Sequence, residues 1–384
     1  MSTTMTDKMP TVKAFLSKAS FIVVIALMVT FTVTTSAQPV TIDTLIERFS
    51  LQASDKPARE HALYKQPKKV VVWNRAILVN ALTSKYPEIE FIAVSSLAEL
   101  EAAVVDADVL LGFCVEPLSR LETSLRFIQS LSVGVEGCAN SDILKTQGVL
   151  VSNIQKMSGP EIAEHSIALM MSLVRGLDQF QNAQRANVWD RSIMSSDDAI
   201  WEIEGRTILV LGLGGIGREV ARRAHGLGMR VLATRNRSKT GPDYVDYVGL
   251  SDELLELAKQ ADVVVNTLPL TSKTQGIVNR AVFAAMPSHA YYISVGRGAT
   301  TDTDALVQAL KTETIAGAGL DVTDPEPLPK EHQLWTLPRV LITPHMAARS
   351  DKYLERVVIL ALANFERYVA GEAILNEVDL LRGY

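Results

Sequence analysis

Short unbroken apolar runs recur along the chain, separated by stretches in which apolar positions return every three or four residues. The run Val70-Val71-Val72-Trp73 reads as a strand buried on both faces. Residues 89–94, 108–113, 125–133 and 149–153 read likewise, with amphipathic segments between them. Strands separated by helix-length segments predict parallel βαβ units. A long helix is expected over residues 160–187. Pro160 suits its first turn, and Glu161 and Glu164 suit the positive end of its dipole. A second alternating series begins at residues 207–211 and continues at 229–233, 262–267, 290–295, 316–320 and 340–342. An amphipathic helix over 351–370 ends the pattern. Two successive α/β series predict two doubly wound parallel-sheet domains with a cleft between them.

The length, 384 residues, suits two cores rather than one. A formal charge of -5 gives no basic excess, so nucleic acid is not an expected partner. Two cysteines occur, Cys114 and Cys138. They read as buried small hydrophobes, not as a disulfide framework or a metal-ligand cluster, and no metal is expected. At the N-terminus Lys8, Lys13 and Lys18 precede an uncharged stretch, residues 21–37. Thr35-Ser36-Ala37 then offers small residues before a polar connector over 38–68. Residues 1–37 therefore read as a secretory signal, and the mature protein as exported, periplasmic or secreted. The apolar run falls short of the ~20 residues of a membrane span. Two alternatives stay open. One is an uncleaved anchor, the only route to membrane association. The other is a misassigned start, with Met28 as an internal candidate and a cytoplasmic protein.

Gly212-Leu213-Gly214-Gly215-Ile216-Gly217 follows a predicted strand and opens a helical pattern, the context that a dinucleotide-binding turn requires. The first glycine permits the tight turn, the second admits a pyrophosphate, and the third lets helix pack on strand. The helix N-terminus supplies N–H groups for the phosphates. An acidic residue about 20 positions on would hold the ribose hydroxyls of NAD. Here the next strand runs into Thr234-Arg235-Asn236-Arg237, with no carboxylate. Arg235 can pair with a 2′-phosphate, so NADP is favoured over NAD. Export and a nicotinamide cofactor are in tension, because free cofactor is mainly a cytoplasmic resource.

Three further residues lie just past predicted strand ends, where ligands bind in open α/β sheets. Arg297 sits in Ser294-Val295-Gly296-Arg297-Gly298, and its flanking glycines suggest an exposed, unhindered side chain. Glu326 sits in a proline-rich loop, residues 324–329, and His345 follows Thr343-Pro344. A guanidinium can clamp a carboxylate. An imidazole can deliver a proton to a carbonyl oxygen as hydride reaches its carbon, and take it back in reverse. A neighbouring carboxylate keeps that imidazole charged.

These stretches, with Asn266-Thr267-Leu268-Pro269-Leu270-Thr271, Leu320-Asp321-Val322, Glu326-Pro327-Leu328-Pro329 and Thr343-Pro344-His345-Met346-Ala347, resemble the D-isomer-specific 2-hydroxyacid dehydrogenases, in the order those motifs take there. The resemblance implies that Arg297, Glu326 and His345 are catalytic. It implies that Thr267, Leu268, Pro269 and Val295 line the cofactor and that Asp321 meets its nicotinamide carboxamide. Val133 and Gly134, within Leu131-Ser132-Val133-Gly134-Val135, would present N–H groups to the substrate carboxylate beside Arg297. It implies a Rossmann-like domain, residues 158–345, inserted into a flavodoxin-like substrate domain, residues 38–157 and 346–384. Closure would hinge near Ser158-Gly159-Pro160, and His165 would be structural. A homodimer is expected through the helix over 160–187.

Two departures stand out. Ser294 replaces a frequent asparagine behind Arg297, and Glu136-Gly137-Cys138 replaces a usual aspartate-asparagine run in the substrate wall. The spelling Glu326-Pro327-Leu328-Pro329 with His332-Gln333-Leu334-Trp335 resembles glyoxylate and hydroxypyruvate reductases. The expected substrate is thus a small 2-keto acid, or the 2-hydroxy acid in reverse. Two other readings compete: a cofactor-sensing regulatory module on the same fold, and a dehydrogenase of another small anion such as formate or phosphite. The joint presence of Arg297, Glu326 and His345 argues against both.

Overall fold

The computed structural model describes residues 40–74, 76–192 and 200–382. The expected signal, residues 1–37, lies outside them. Among the described residues no helix is long and apolar enough to cross a membrane.

Two parallel sheets organise the chain. The first holds β1 (Lys69–Trp73), β2 (Glu90–Val94), β3 (Val109–Gly112), β4 (Phe127–Ser130) and β5 (Leu150–Ser152), in the order β2-β1-β3-β4-β5. The second holds β6 (Thr207–Leu211), β7 (Arg230–Arg235), β8 (Tyr247–Leu250), β9 (Val263–Asn266), β10 (Tyr291–Ser294), β11 (Gly317–Leu320) and β12 (Val340–Ile342). Its order is β12-β11-β10-β9-β6-β7-β8. Both are doubly wound, as the alternating pattern predicts, and the central strands are buried and largely apolar because helices cover both faces. The edge strand β8 was not expected. It is short, and Tyr247 at its start is exposed, so it lacks the buried run that marks the others.

The long helix expected over 160–187 is two helices, Gly159–Val174 and Leu177–Arg185. Gly176 interrupts them at φ 63°, a left-handed conformation that glycine adopts without steric cost. Glu161 does lie in the first turn, but its carboxylate is buried and paired with Arg356 at 2.9 Å. Burial pushes its carboxyl up despite that partner. The polar connector also holds more order than its composition suggests. A helix, Ile42–Phe49, is capped by the Thr41 side chain and buries Leu45 in the core of the first sheet. The last helix, Tyr353–Ala370, packs on that helix and on β4, with Phe365 and Tyr368 buried between them.

One expectation is overturned. Cys114 and Cys138 are not separate hydrophobes; they form a disulfide. Cys114 leaves the end of β3, and Cys138 lies in the short helix Glu136–Ala139. The backbone of Gly137 packs so closely on that exit that a Cβ there would fall 2.3 Å from the Cys114 carbonyl oxygen. The pairing arises from this approach in space, for which a separation of 24 residues offers no signature.

Candidate active site

The second sheet aligns the candidate residues by register. Leu211 pairs with Asn266, Asn266 with Ser294, Ser294 with Leu320, and Leu320 with Ile342. All five strands run the same way, so the segments that follow this row emerge along one edge. These are the turn at Gly212, Thr267-Leu268-Pro269, Val295 to Arg297, Asp321, and Thr343 to His345.

At the middle of that edge the strand order reverses, and a cavity of about 650 Å³ opens there. Gly212, Gly214, Thr234, Arg235, Leu268 and Pro269 are among its walls. Gly217 is forced by packing, since a Cβ there would lie 1.9 Å from the Gly212 carbonyl oxygen. Gly214 is different: a Cβ there would meet nothing within 4 Å. Space in front of Gly214, at the start of the helix Gly215–Gly226, is what a pyrophosphate requires. Ile216 points the other way, into the core. The turn is braced by Thr267 Oγ1, which donates to the Gly212 carbonyl at 2.8 Å, and by the Gly212 N–H, which donates to Thr234 Oγ1 at 3.3 Å. Arg235 lies at the mouth and donates to the Thr240 carbonyl at 2.9 Å. These residues fit a nicotinamide dinucleotide. A separate crevice of about 720 Å³ runs between residues 52–55 and 376–382, lined by neither Arg297, Glu326 nor His345.

Beside the cofactor cavity lies a cluster of four charged groups. His345 Nδ1 faces Glu326 Oε1 at 2.6 Å, and both side chains are half exposed. The hydrogen bond that Glu326 accepts raises the imidazole above its ordinary value of 6.5, against the opposing effect of burial. His345 adopts φ 53°, a strained backbone for a non-glycine residue. Its N–H donates to the Asp321 carbonyl at 2.8 Å, which holds it there. The Asp321 carboxylate is buried and serves the same loop. It accepts from Thr343 Oγ1 and from the N–H groups of Met346 and Ala347 at 2.6–3.0 Å. His165 Nε2 completes this brace, 2.8 Å from Thr343 Oγ1.

Arg297 is not the exposed, unhindered side chain that its flanking glycines suggested; it is 24% exposed. The glycines serve the backbone. A Cβ on Gly296 would fall 2.5 Å from the Leu268 carbonyl oxygen, and one on Gly298 would collide with Thr323. Arg297 Nη1 donates to the Gly296 carbonyl at 2.8 Å, and Nε donates to Glu136 Oε1 at 2.6 Å. Glu136 follows β4 of the first sheet, so this pair closes the crevice from the far side. Gly134 adjoins it: a Cβ there would lie 2.7 Å from Arg297 Nη2. The carbonyls of Val133 and Gly134 are tied back to Asn153 and Ser132. Their N–H groups make no hydrogen bond among the described residues. Ser294 is buried behind Arg297. The bracing there comes from Asn266, whose Nδ2 donates to Tyr292 Oη and Thr300 Oγ1, both at 2.8 Å. Thr300 Oγ1 in turn donates to the Arg297 carbonyl at 2.6 Å. Val295 is buried beneath the edge and presents no polar side chain.

Residues 167–347 match the family model described as D-isomer specific 2-hydroxyacid dehydrogenase, NAD binding domain. The glycerate dehydrogenase of Methylorubrum extorquens is 34% identical over 233 residues, 59% of this chain and 71% of that protein. The glyoxylate reductase/hydroxypyruvate reductase of Mus musculus is 31% identical over 261 residues, 67% of this chain and 78% of that protein. The chain belongs to the D-isomer-specific 2-hydroxyacid dehydrogenase family. A crystal structure of a family member from Aeromonas salmonicida superposes with a TM-score of 0.71 at 26% identity, covering 82% of this chain and all of that one. The dehydrogenase is thus an NAD(P)-dependent oxidoreductase acting on CH–OH donors, built on the two-sheet fold described above. Glu136, Asn266 and Thr300 are members of the charged cluster and its support that sequence reasoning did not single out. Asn266 stands within one of the quoted motifs, and Glu136 within one of the noted departures.

Proposed function

We propose that this dehydrogenase reduces a glyoxylate- or hydroxypyruvate-like 2-keto acid to the D-2-hydroxy acid, with NADPH preferred to NADH. The observation that carries the reading is the Glu326–His345 pair, set on the same sheet edge as Arg297 and the glycine-rich turn. Arg297, with the Val133 and Gly134 N–H groups, holds the substrate carboxylate. The bound cofactor supplies the hydride. His345, kept protonated by Glu326, gives its Nε2 proton to the carbonyl oxygen, and in the oxidative direction the neutral imidazole takes it back. A cofactor sensor has no need of this proton relay, and formate or phosphite offers no carbonyl oxygen to protonate. Asp321 Oδ2, which accepts a single hydrogen bond from the Ala347 N–H, is the acceptor that meets the nicotinamide carboxamide.

Arg235 supports the NADP preference because it stands at the end of β7, where the cavity receives the adenosine ribose. Steady-state turnover on glyoxylate and hydroxypyruvate with each cofactor tests both points. NADPH is expected to give the higher kcat/KM, and Arg235→Asp to reverse the order by about tenfold or more, the scale of one lost charge-assisted pair. Equal use of the two cofactors by the native enzyme removes Arg235 from that role, and binding without turnover on any keto acid restores the sensor.

The disulfide supports export, since such bonds persist in oxidising compartments. N-terminal sequencing of the mature protein tests cleavage near Ala37, and an intact N-terminus would refute it. We place a dimer contact on the helix pair 159–185 and the turn after it, where Leu177 and Phe180 on the second helix and Val188 and Trp189 just beyond it stand exposed. Sedimentation of the native protein as a monomer would remove that contact.

A further inference from the structure

The proton relay makes no use of Glu136, and neither does the cofactor cavity. Yet its carboxylate occupies the crevice wall, 2.6 Å from the Nε of the carboxylate-binding guanidinium. A Cβ on Gly134 would lie 2.6 Å from Glu136 Oε2 and 2.7 Å from Arg297 Nη2, so both charges abut the backbone edge assigned to substrate. Burial raises the Glu136 carboxyl, but the charge and hydrogen bond of Arg297 outweigh burial and leave it below the ordinary range. His345 lowers it further, which places all three groups within electrostatic reach of one another. A guanidinium has five N–H donors. Glu136 and Gly296 take two of them, so the Nη edge can still receive one substrate carboxylate.

Charge now decides what else fits. Two cations, Arg297 and His345, face two carboxylates, Glu136 and Glu326. One substrate carboxylate on the guanidinium adds a single negative charge. A second, carried on the far carbon, would enter beside Glu136 with both cations of this cluster already engaged. Like charges a few ångströms apart in a partly buried site repel strongly, and such repulsion is a common source of specificity.

We infer that Glu136 is a charge filter: it admits 2-keto acids bearing one negative charge and excludes those carrying a second carboxylate or a phosphate. The inference rests on the keto-acid reading above and names its substrate class. An uncharged hydroxymethyl group is accepted, because its hydroxyl can donate to Glu136.

The test compares kcat/KM for oxaloacetate with that for 2-oxobutanoate, which match in chain length and differ by one charge. The native enzyme is expected to favour 2-oxobutanoate. Glu136→Gln should raise the oxaloacetate share by about tenfold or more, and Glu136→Asp, which keeps the charge, should leave the discrimination largely in place. A purely structural role would lower both substrates together and leave the ratio unmoved, so an unchanged ratio in Glu136→Gln overturns the filter. The native enzyme gives an independent reading without any variant. Discrimination against oxaloacetate should weaken as salt rises, and a salt-independent ratio also overturns the proposal. Loss of turnover on 2-oxobutanoate, glyoxylate and hydroxypyruvate alike would instead refute the keto-acid reading, and the filter with it.

Discussion

Replacing His345 with alanine is expected to lower keto-acid reduction by about 10²–10⁴-fold, the range of a lost general acid. The expectation follows from the pair it forms with Glu326. The hydrogen bond at 2.6 Å favours the imidazolium, so the proton-donating form persists above pH 6.5. Reduction uses that form. Its kcat/KM should therefore be flat at low pH and fall as pH rises through the raised pKa. Oxidation uses the neutral form and should show the opposite slope. Glu326→Gln removes the largest raising influence, so the inflection for reduction should move to lower pH and activity at neutral pH should drop with it. The check is a pH profile of kcat/KM for each variant, with near-UV circular dichroism to establish that both fold. A His345→Ala enzyme with native turnover would end the proton-donor assignment. An inflection that stays in place in Glu326→Gln would end the pairing's role.

The cofactor half of this site was legible because its chemistry is local. A glycine-rich turn must follow a strand and open a helix, and residues 207–227 satisfy that within one short segment. Arg297, Asp321 and His345 were also visible, because each ends a strand, and strands can be recognised by their apolar runs. What sequence could not supply was the second partner of each group. Glu136 and Arg297 are 161 positions apart and meet only because the first sheet presents its β4 loop to the second sheet's edge. The glycines beside Arg297 suggested exposure, whereas they admit the backbones of Leu268 and Thr323. The apolar spacing over 160–187 continues across the break between the two helices. Only the positive φ of Gly176 reveals it.

The supports behind the site follow one rule. Asn266 braces the Arg297 turn, and Asp321 braces the His345 loop. Each is a buried polar residue at or just beyond the end of a strand, with its hydrogen bonds directed along the sheet edge. In this role such residues touch no reacting atom. They fix the positions of groups whose backbones would otherwise relax, the strained His345 above all.

The Cys114–Cys138 disulfide extends the same logic to the first sheet. It closes a loop of 24 residues that contains β4 and the turn bearing Gly134 and Glu136. Removing a link of that span is expected to cost about 3 kcal/mol, chiefly by freeing the unfolded chain. With a denaturant slope of about 2 kcal/mol/M, the urea midpoint should fall by about 1.5 M in a Cys114→Ser, Cys138→Ser double variant. Reduction of the native protein should produce the same shift, while the variant should ignore the reductant. Because Cys138 sits two residues from Glu136, the loosened turn should also raise KM for the keto acid more than it lowers kcat. Equal midpoints with and without reductant would show that the bond contributes nothing to stability, and two titratable thiols in the native protein would show that it does not form. The pairing and the basic, apolar and small-residue succession of residues 1–37 support the same proposal of export, since disulfides persist in oxidising compartments. An even cysteine count in an exported chain argues for the same bond.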